Sequence, residues 1–229
     1  MNDTPLMERQ ARLQQRICAA VDAAGRRRDQ VHLLAVSKHQ PAESVRALYA
    51  LGQRHFGENY VQEALAKQRE LAGLGIEWHL IGPLQSNKCR EAARHFDWLE
   101  SLDRAKLVPL LAAARPPQRP PLNVLIQVNI EGEAGKSGCA PQDVETLARQ
   151  VAQAPALALR GLMAIPAPHP DSARRVDAFR RMRARFETLR AEFPGIDTLS
   201  MGMSEDFELA IAAGATEVRI GSALFGPRG

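Results

Sequence analysis

Val31-His32-Leu33-Leu34-Ala35-Val36-Ser37-Lys38 is an apolar run of strand length that ends on a hydroxyl and then an amine. A short run with so little polar interruption reads as a strand covered on both faces, as in parallel sheets flanked by helices. On its N-terminal side, residues 5–25 repeat Leu6, Leu13, Ile17 and Val21 near helical period and stop at Gly25 and a basic cluster, which predicts a first helix. On its C-terminal side Pro41 opens a helix through Leu48, Gly52 ends it, and Arg54-His55-Phe56-Gly57-Glu58 is a second strand. The alternation continues with a helix over 61–71, a strand at Glu77-Trp78-His79-Leu80-Ile81, a helix after Leu84 and a strand at Asp97-Trp98-Leu99-Glu100. A helix over 105–114 then runs into Arg115-Pro116-Pro117-Gln118-Arg119-Pro120-Pro121, a surface connection because its prolines cannot sit inside a helix.

Residues 122–130 give the strongest strand signal, with Val124, Leu125, Ile126 and Val128 nearly continuous. A helix over 143–152 and a strand over 157–165, closed by Pro166 and Pro168, follow. Residues 174–192 place Val176, Phe179, Met182, Phe186 and Leu189 at steps of three and four, so the many arginines there form the wet side of an amphipathic helix. Thr198-Leu199-Ser200 is the weakest strand; a helix over 205–213 leads to the last, Glu217-Val218-Arg219-Ile220. Eight strands separated by helices predict a (β/α)8 TIM barrel occupying 1–229 as one domain, with a doubly wound sheet as the alternative arrangement.

Bulk properties narrow the function classes. The chain has 229 residues, 45% hydrophobic and 24% charged, enough to bury a sizeable core. Its net charge of +4 is spread along the sequence, and neither Arg26-Arg27-Arg28 nor the arginines of 174–192 form more than a solvated face, so nucleic acid is not the expected partner. The opening residues hold Glu8 and Arg9 and no continuous apolar run, which predicts no secretory leader or membrane anchor and a cytoplasmic location. Cys18, Cys89 and Cys139 are far apart and odd in number, and read as free thiols. With no His-Glu-x-x-His and no carboxylate cluster at ligand spacing, no metal is expected.

The chemistry gathers at strand ends. Lys38 is one of five lysines in a chain that otherwise uses arginine, and it ends a buried strand. Partial desolvation there favours the neutral amine and its attack on an aldehyde; the plain alternative is a lysine reaching from the barrel mouth to solvent. In Arg219-Ile220-Gly221-Ser222, a glycine that admits close backbone approach, a hydroxyl and the amides opening a short helix make a phosphate cradle, or else an ordinary strand-to-helix turn. Barrel closure would set the first strand beside the last, so Lys38, Arg219 and the cradle converge on one mouth, a set that suits an aldehyde-bearing phosphate ester. Ser204, in Ser200-Met201-Gly202-Met203-Ser204-Glu205-Asp206, either caps the following helix, with Glu205 and Asp206 in its first turn, or touches the phosphate. Asn59 and His79 lie at the rim of the middle strands; each could hydrogen-bond a ligand, and a histidine there is as often a satisfied core residue.

These segments resemble the pyridoxal phosphate homeostasis proteins, the YggS/PROSC family, across essentially the whole chain. The pattern is met by Ala35-Val36-Ser37-Lys38, by Phe56-Gly57-Glu58-Asn59-Tyr60-Val61-Gln62-Glu63 and by Trp78-His79-Leu80-Ile81-Gly82-Pro83-Leu84-Gln85-Ser86-Asn87-Lys88. It is met again by Gly161-Leu162-Met163, by Leu199-Ser200-Met201-Gly202-Met203-Ser204-Glu205-Asp206 and by Val218-Arg219-Ile220-Gly221-Ser222-Ala223-Leu224-Phe225-Gly226. The resemblance implies a barrel like the N-terminal domain of alanine racemase (fold type III) that carries pyridoxal 5′-phosphate (PLP) as a covalent aldimine on Lys38. It matches Arg219 to the arginine facing the pyridine nitrogen, Ser204, Gly221 and Ser222 to phosphate contacts, and Asn59 and His79 to the wall near the cofactor. It also matches Lys136, in Gly135-Lys136-Ser137-Gly138, to a loop lysine connected with cofactor handover, although Gly132-Glu133-Ala134-Gly135 departs from the pattern there.

The implied function is PLP homeostasis within the cell: vitamin B6 cofactor held, buffered or delivered, with PLP-dependent apo-enzymes as recipients, no membrane partner, a monomeric state and no catalytic turnover. An arginine opposite the pyridine nitrogen disfavours its protonation and weakens the ring as an electron sink. Racemisation also wants a second base on the far side of the substrate carbon, and neither Tyr49 nor Tyr60 is placed to supply it. The competing readings are a weak PLP-dependent amino-acid racemase and an aldolase-type Schiff-base barrel acting on a phosphorylated sugar. A pure interaction role would leave the amine and cradle without purpose.

Overall fold

The computed structural model describes residues 4–167 and 169–226, so the expectation placed on Pro168 lies outside the described residues. In chain order the elements are α1 (Thr4–Ala23), β1 (His32–Val36), α2 (Ala42–Ala50), β2 (His55–Glu58), α3 (Val61–Glu70), β3 (Glu77–Leu80), α4 (Cys89–His95) and β4 (Trp98–Leu102). They continue through α5 (Leu107–Ala114), β5 (Leu122–Gln127), α6 (Val144–Ala152), β6 (Leu157–Met163), α7 (Ser172–Glu192), β7 (Thr198–Ser200), α8 (Phe207–Ala212), β8 (Glu217–Ile220) and α9 (Ser222–Phe225). The eight strands are parallel and follow sequence order around a closed barrel. Closure is made by β1 against β8, from His32 opposite Glu217 to Ala35 opposite Ile220, and it excludes a doubly wound sheet.

Strand alternation sorts side chains into two environments. Phe56, Leu80, Leu99, Val124, Leu162, Leu199, Val218 and Ile220 belong to the apolar shell between sheet and helices, where they meet Val45, Leu48, Leu111, Phe179 and Phe186. Trp98, Leu125 and Met163 form a separate small apolar cluster. Beside these hydrophobes the protein also buries His79, Glu100, Ser200, Glu217 and Arg219. Buried charges of this kind persist only when paired and hydrogen-bonded.

Several boundaries differ from the sequence expectation for identifiable reasons. The strand expected over 122–130 stops at Gln127, because Val128 forms only an isolated bridge with Cys139 and Asn129 donates its backbone N–H to the Cys139 carbonyl. The loop that returns to Cys139 needs Gly138 at φ 118, where an added Cβ would lie 2.6 Å from the Asn129 nitrogen. The strand expected over 157–165 ends at Met163. The helix after Leu84 begins as a 3-10 turn at Ser86–Lys88 before α4. The helix expected over 205–213 begins only at Phe207, and Ser204 does not cap it: the Ser204 hydroxyl accepts instead from the backbone N–H of Ala223 at 3.3 Å.

Candidate functional site

The residue after Val36 leaves the sheet in a turn that is pinned from below. Ser37 donates its N–H to the Gly57 carbonyl and accepts from the Gln40 N–H, and His39 stands at φ 62, a left-handed conformation rare for a non-glycine residue. That conformation is held by Glu63 on α3, whose carboxylate accepts the His39 N–H. Lys67, one helical turn further, donates to Glu63 Oε1 at 2.8 Å, to Glu58 Oε1 at 2.7 Å and to the Ser37 carbonyl at 2.6 Å. The Ser37 hydroxyl donates to the same Glu58 oxygen at 2.6 Å. Burial pushes the Glu58 carboxyl up from its ordinary range, against the pull of Lys67 and Ser37. The turn that presents Lys38 is therefore anchored to β2 and α3 by a buried charged cluster.

On the opposite side of the closure, Arg219 reaches into the barrel. Its guanidinium donates to Ser200 Oγ at 2.7 Å and to the Ala164 carbonyl at 2.8 Å, and it is buried. Burial draws its pKa down, and Glu100, Glu217 and Asp206 oppose that shift. Ser200 Oγ donates onward to Glu100 Oε2 at 2.8 Å, and Glu100 Oε1 meets His79 Nδ1 at 2.7 Å. Burial alone would push His79 down, but Glu100 and Glu77 outweigh it and raise the imidazole to about 10, so it is held protonated. Burial, reinforced by the charge of Glu100, pushes the Glu217 carboxyl up to about 8. The interior therefore carries a continuous chain, Arg219–Ser200–Glu100–His79, spanning β8, β7, β4 and β3.

Gly202 shapes the loop before α8. It sits at φ 94, and a Cβ there would lie 2.5 Å from the Ala210 Cβ, so only glycine lets the loop fold down onto the helix. Asp206 Oδ1 then accepts the Met203 N–H at 2.7 Å and closes a tight turn that presents Ser204. Gly82 plays a comparable part for Asn59: its missing Cβ would fall 2.1 Å from the Asn59 carbonyl oxygen.

The structure brings Lys38, Asn59, Ser204, Arg219, Gly221 and Ser222 to the lining of one cavity of about 650 Å³ at the C-terminal mouth of the barrel. His79 is not among its lining residues. Along β3 the alternation that puts His79 inside the barrel makes Ile81, two residues on, the side chain that reaches the mouth. His79 instead borders a second cavity of about 740 Å³ at the N-terminal end of the strands, and is linked to the upper one through Glu100, Ser200 and then Arg219. Lys136 lies in the loop after β5, ion-paired with Glu133, and does not line the mouth cavity.

Sequence reasoning missed Glu58, Glu63 and Lys67, because a glutamate four residues before a lysine on a helix looks like an ordinary solvated pair. It also missed Ile165, an apolar wall of the mouth that a loop supplies rather than a strand, beside Met203. The donor set suits an anionic carbonyl compound: an amine, a guanidinium, two hydroxyls and a glycine turn, between apolar walls, match an aldehyde, a phosphate and a flat ring. A Cβ at Gly221 would meet Val36 no closer than 3.5 Å, so the cradle is held by a turn that is not crowded.

Comparison with known proteins places this geometry in context. The alanine racemase N-terminal domain family matches residues 9–229. A pyridoxal phosphate homeostasis protein of Pseudomonas aeruginosa is 55% identical over 223 residues, covering 97% of this chain and 96% of that protein. The one from Escherichia coli K12 is 50% identical over 231 residues, covering 100% and 98%. Among solved structures, PipY of Synechococcus elongatus PCC7942 with PLP bound superposes at a TM-score of 0.83 with 39% identity, covering 96% of this chain and all of that one.

Proposed function

The chain belongs to the pyridoxal phosphate homeostasis proteins, on the alanine racemase N-terminal domain fold, and we propose that it holds PLP as a Schiff base on Lys38 Nζ and buffers or delivers it without catalytic turnover. The observation that carries the residue assignment is the convergence of Lys38, Asn59, Ser204, Arg219, Gly221 and Ser222 on one cavity. PLP supplies an aldehyde that condenses reversibly with amines, which is the property a reservoir needs.

Each residue has a distinct part in this reading. Lys38 provides the amine, on a turn that Glu63 and Lys67 keep from relaxing. Ser204, Ser222 and the backbone at Gly221 receive the phosphate, and Asn59 flanks the ring. Arg219 faces the pyridine nitrogen. A guanidinium has donors only, so that nitrogen remains an unprotonated acceptor and the ring a weak electron sink. Arg219 cannot relinquish this state easily, because Ser200 and Glu100 fix it from behind. His79 is a positioning residue: it completes the chain behind Arg219 rather than touching the cofactor.

The test is an absorbance spectrum of the PLP-loaded protein, repeated on Lys38→Ala, followed by borohydride reduction and peptide mapping. A visible Schiff-base band that reduction traps on Lys38 supports the reading, and failure of the intact protein to take up PLP sinks it. Incubating the loaded protein with amino acids in D2O tests turnover, since a racemase would wash deuterium into the α position.

A further inference from the structure

We propose that His55, Glu77 and His79, at the N-terminal end of the barrel and opposite the PLP mouth, form a binding site for a divalent transition metal ion such as Zn²⁺. The three side chains start adjacent strands: His55 opens β2, Glu77 opens β3 and His79 lies two residues on, so strand alternation turns both β3 groups the same way. One ligand atom from each lies within 4.8 Å of the other two. His55 Nδ1 is 3.5 Å and His79 Nε2 3.6 Å from Glu77 Oε1. Neither separation is a good hydrogen bond, yet both are near the ~3.4 Å between neighbouring ligands of a tetrahedral ion bound at ~2.0–2.2 Å.

The independent observation is His79 Nε2. The residue is only 1% exposed, and this nitrogen has no hydrogen-bond partner. A buried polar atom left so is costly, and a ring nitrogen aimed at a carboxylate and a second imidazole becomes a metal ligand once it gives up its proton. The other ring nitrogen is already engaged: Nδ1 pairs with Glu100 at 2.7 Å, the carboxylate–histidine arrangement that fixes the tautomer of metal-bound imidazoles. Trp98 stacks on the His79 ring at 5.2 Å and 4°, and its indole N–H donates to Glu77, so ring and carboxylate are both held. The N-terminal cavity, about 740 Å³ and bordered by all three side chains, gives access and room for water as the fourth ligand. On binding, the ion replaces the proton at His79 Nε2, which leaves to solvent, while Glu100 keeps the proton on Nδ1. His79, Glu100 and Glu217 also cluster at ligand spacing, but His79 would have to use the nitrogen that Glu100 occupies.

The experiment is a titration of chelator-treated protein, PLP-free and PLP-loaded, with ZnCl₂ against a chromophoric competitor. One Zn²⁺ per chain is expected, with His55→Ala and Glu77→Gln each weakening it by about tenfold or more, since even outer-shell changes cost that much. PLP uptake should be unchanged in His55→Ala, whose side chain is 41% exposed and stands away from the mouth. Cu²⁺ should quench Trp98 emission in the intact protein and not in His55→Ala. Absence of one-to-one binding overturns the proposal. So does binding that His55→Ala leaves intact, or that disappears only when Cys18, Cys89 and Cys139 are alkylated.

Discussion

Replacing Lys67 with methionine should destabilise the barrel far more than a lysine substitution on a helix surface would. Methionine keeps most of the side-chain volume and removes three hydrogen bonds, at 2.6, 2.7 and 2.8 Å. It leaves Glu58, fully buried, with only the Ser37 hydroxyl against its charge. Burial already pushes the Glu58 carboxyl up with Lys67 in place, so the variant must protonate it or bear an unpaired charge. Breaking a buried pair from one side costs about 3–5 kcal/mol. For a chain of this length about 1 kcal/mol shifts the melting temperature by roughly 2–4 °C, so the expected fall is roughly 6–20 °C. The double variant Lys67→Met/Glu58→Gln, which removes the stranded charge, should recover at least half of the loss. Urea unfolding monitored by circular dichroism measures both, and PLP release from the same samples reports whether the Lys38 turn has loosened. A single-variant cost below about 1 kcal/mol, or a double variant no better than the single, would refute the argument that this cluster anchors the turn.

Other consequences can be checked alongside. Gly202→Ala forces a side chain into φ 94 and against the Ala210 Cβ; it should cost about 1–3 kcal/mol and displace Ser204, raising the PLP dissociation constant. Arg219→Lys keeps the charge but cannot span Ser200 Oγ and the Ala164 carbonyl together, so equilibrium dialysis should show PLP held about tenfold more weakly or worse. The Cys139 thiol is pushed up to about 12 by burial, so iodoacetamide at pH 8 should leave it unmodified in the folded protein and label it in urea, as read by mass spectrometry. The sign follows from the raised value: folding favours the neutral thiol, so this contribution is complete below the ordinary value of 9.0 and is lost as pH rises from there toward about 12.

The barrel was legible because its strands announce themselves as short apolar runs, and even three-residue β7 lies where Thr198-Leu199-Ser200 predicts it. The candidate site was legible near strand ends for the same reason: Lys38, Gly221 and Ser222 follow apolar runs, and Arg219 is the one charged side chain between Val218 and Ile220 of the last strand. His79 was read one level too high. Trp78-His79-Leu80-Ile81 shows an alternation, but not how far the mouth lies along it, and the residue that lines it is Ile81, just past the end of β3. For Ser204 the sequence left a helix cap and a phosphate contact side by side, because Ser-Glu-Asp is what a helix start contains; the left-handed Gly202 and the Asp206–Met203 turn remove the cap, and neither is visible without backbone angles. Val128 and Ile130 prolong the apolar run beyond β5, but past Gln127 the chain keeps only the Val128 N–H bond to the Met163 carbonyl and an isolated bridge to Cys139.

If Lys38 and Arg219 hold the cofactor as proposed, the seam between β1 and β8 also governs when the protein can acquire it. Lys38 stands near the beginning of the chain and Arg219 near its end, and Arg9 on α1 reaches across to the Leu224 carbonyl at 2.9 Å. Contacts of such sequence separation form late, because the intervening chain must be ordered before its ends can meet. During synthesis, the first seven strands can assemble without offering any complete cavity. A nascent chain stalled before residue 217 has the amine but neither the guanidinium nor the Gly221–Ser222 turn. On the proposed reading, capture of an aldehyde in the mouth would serve as a certificate of complete assembly, issued only when the last strand has docked beside the first.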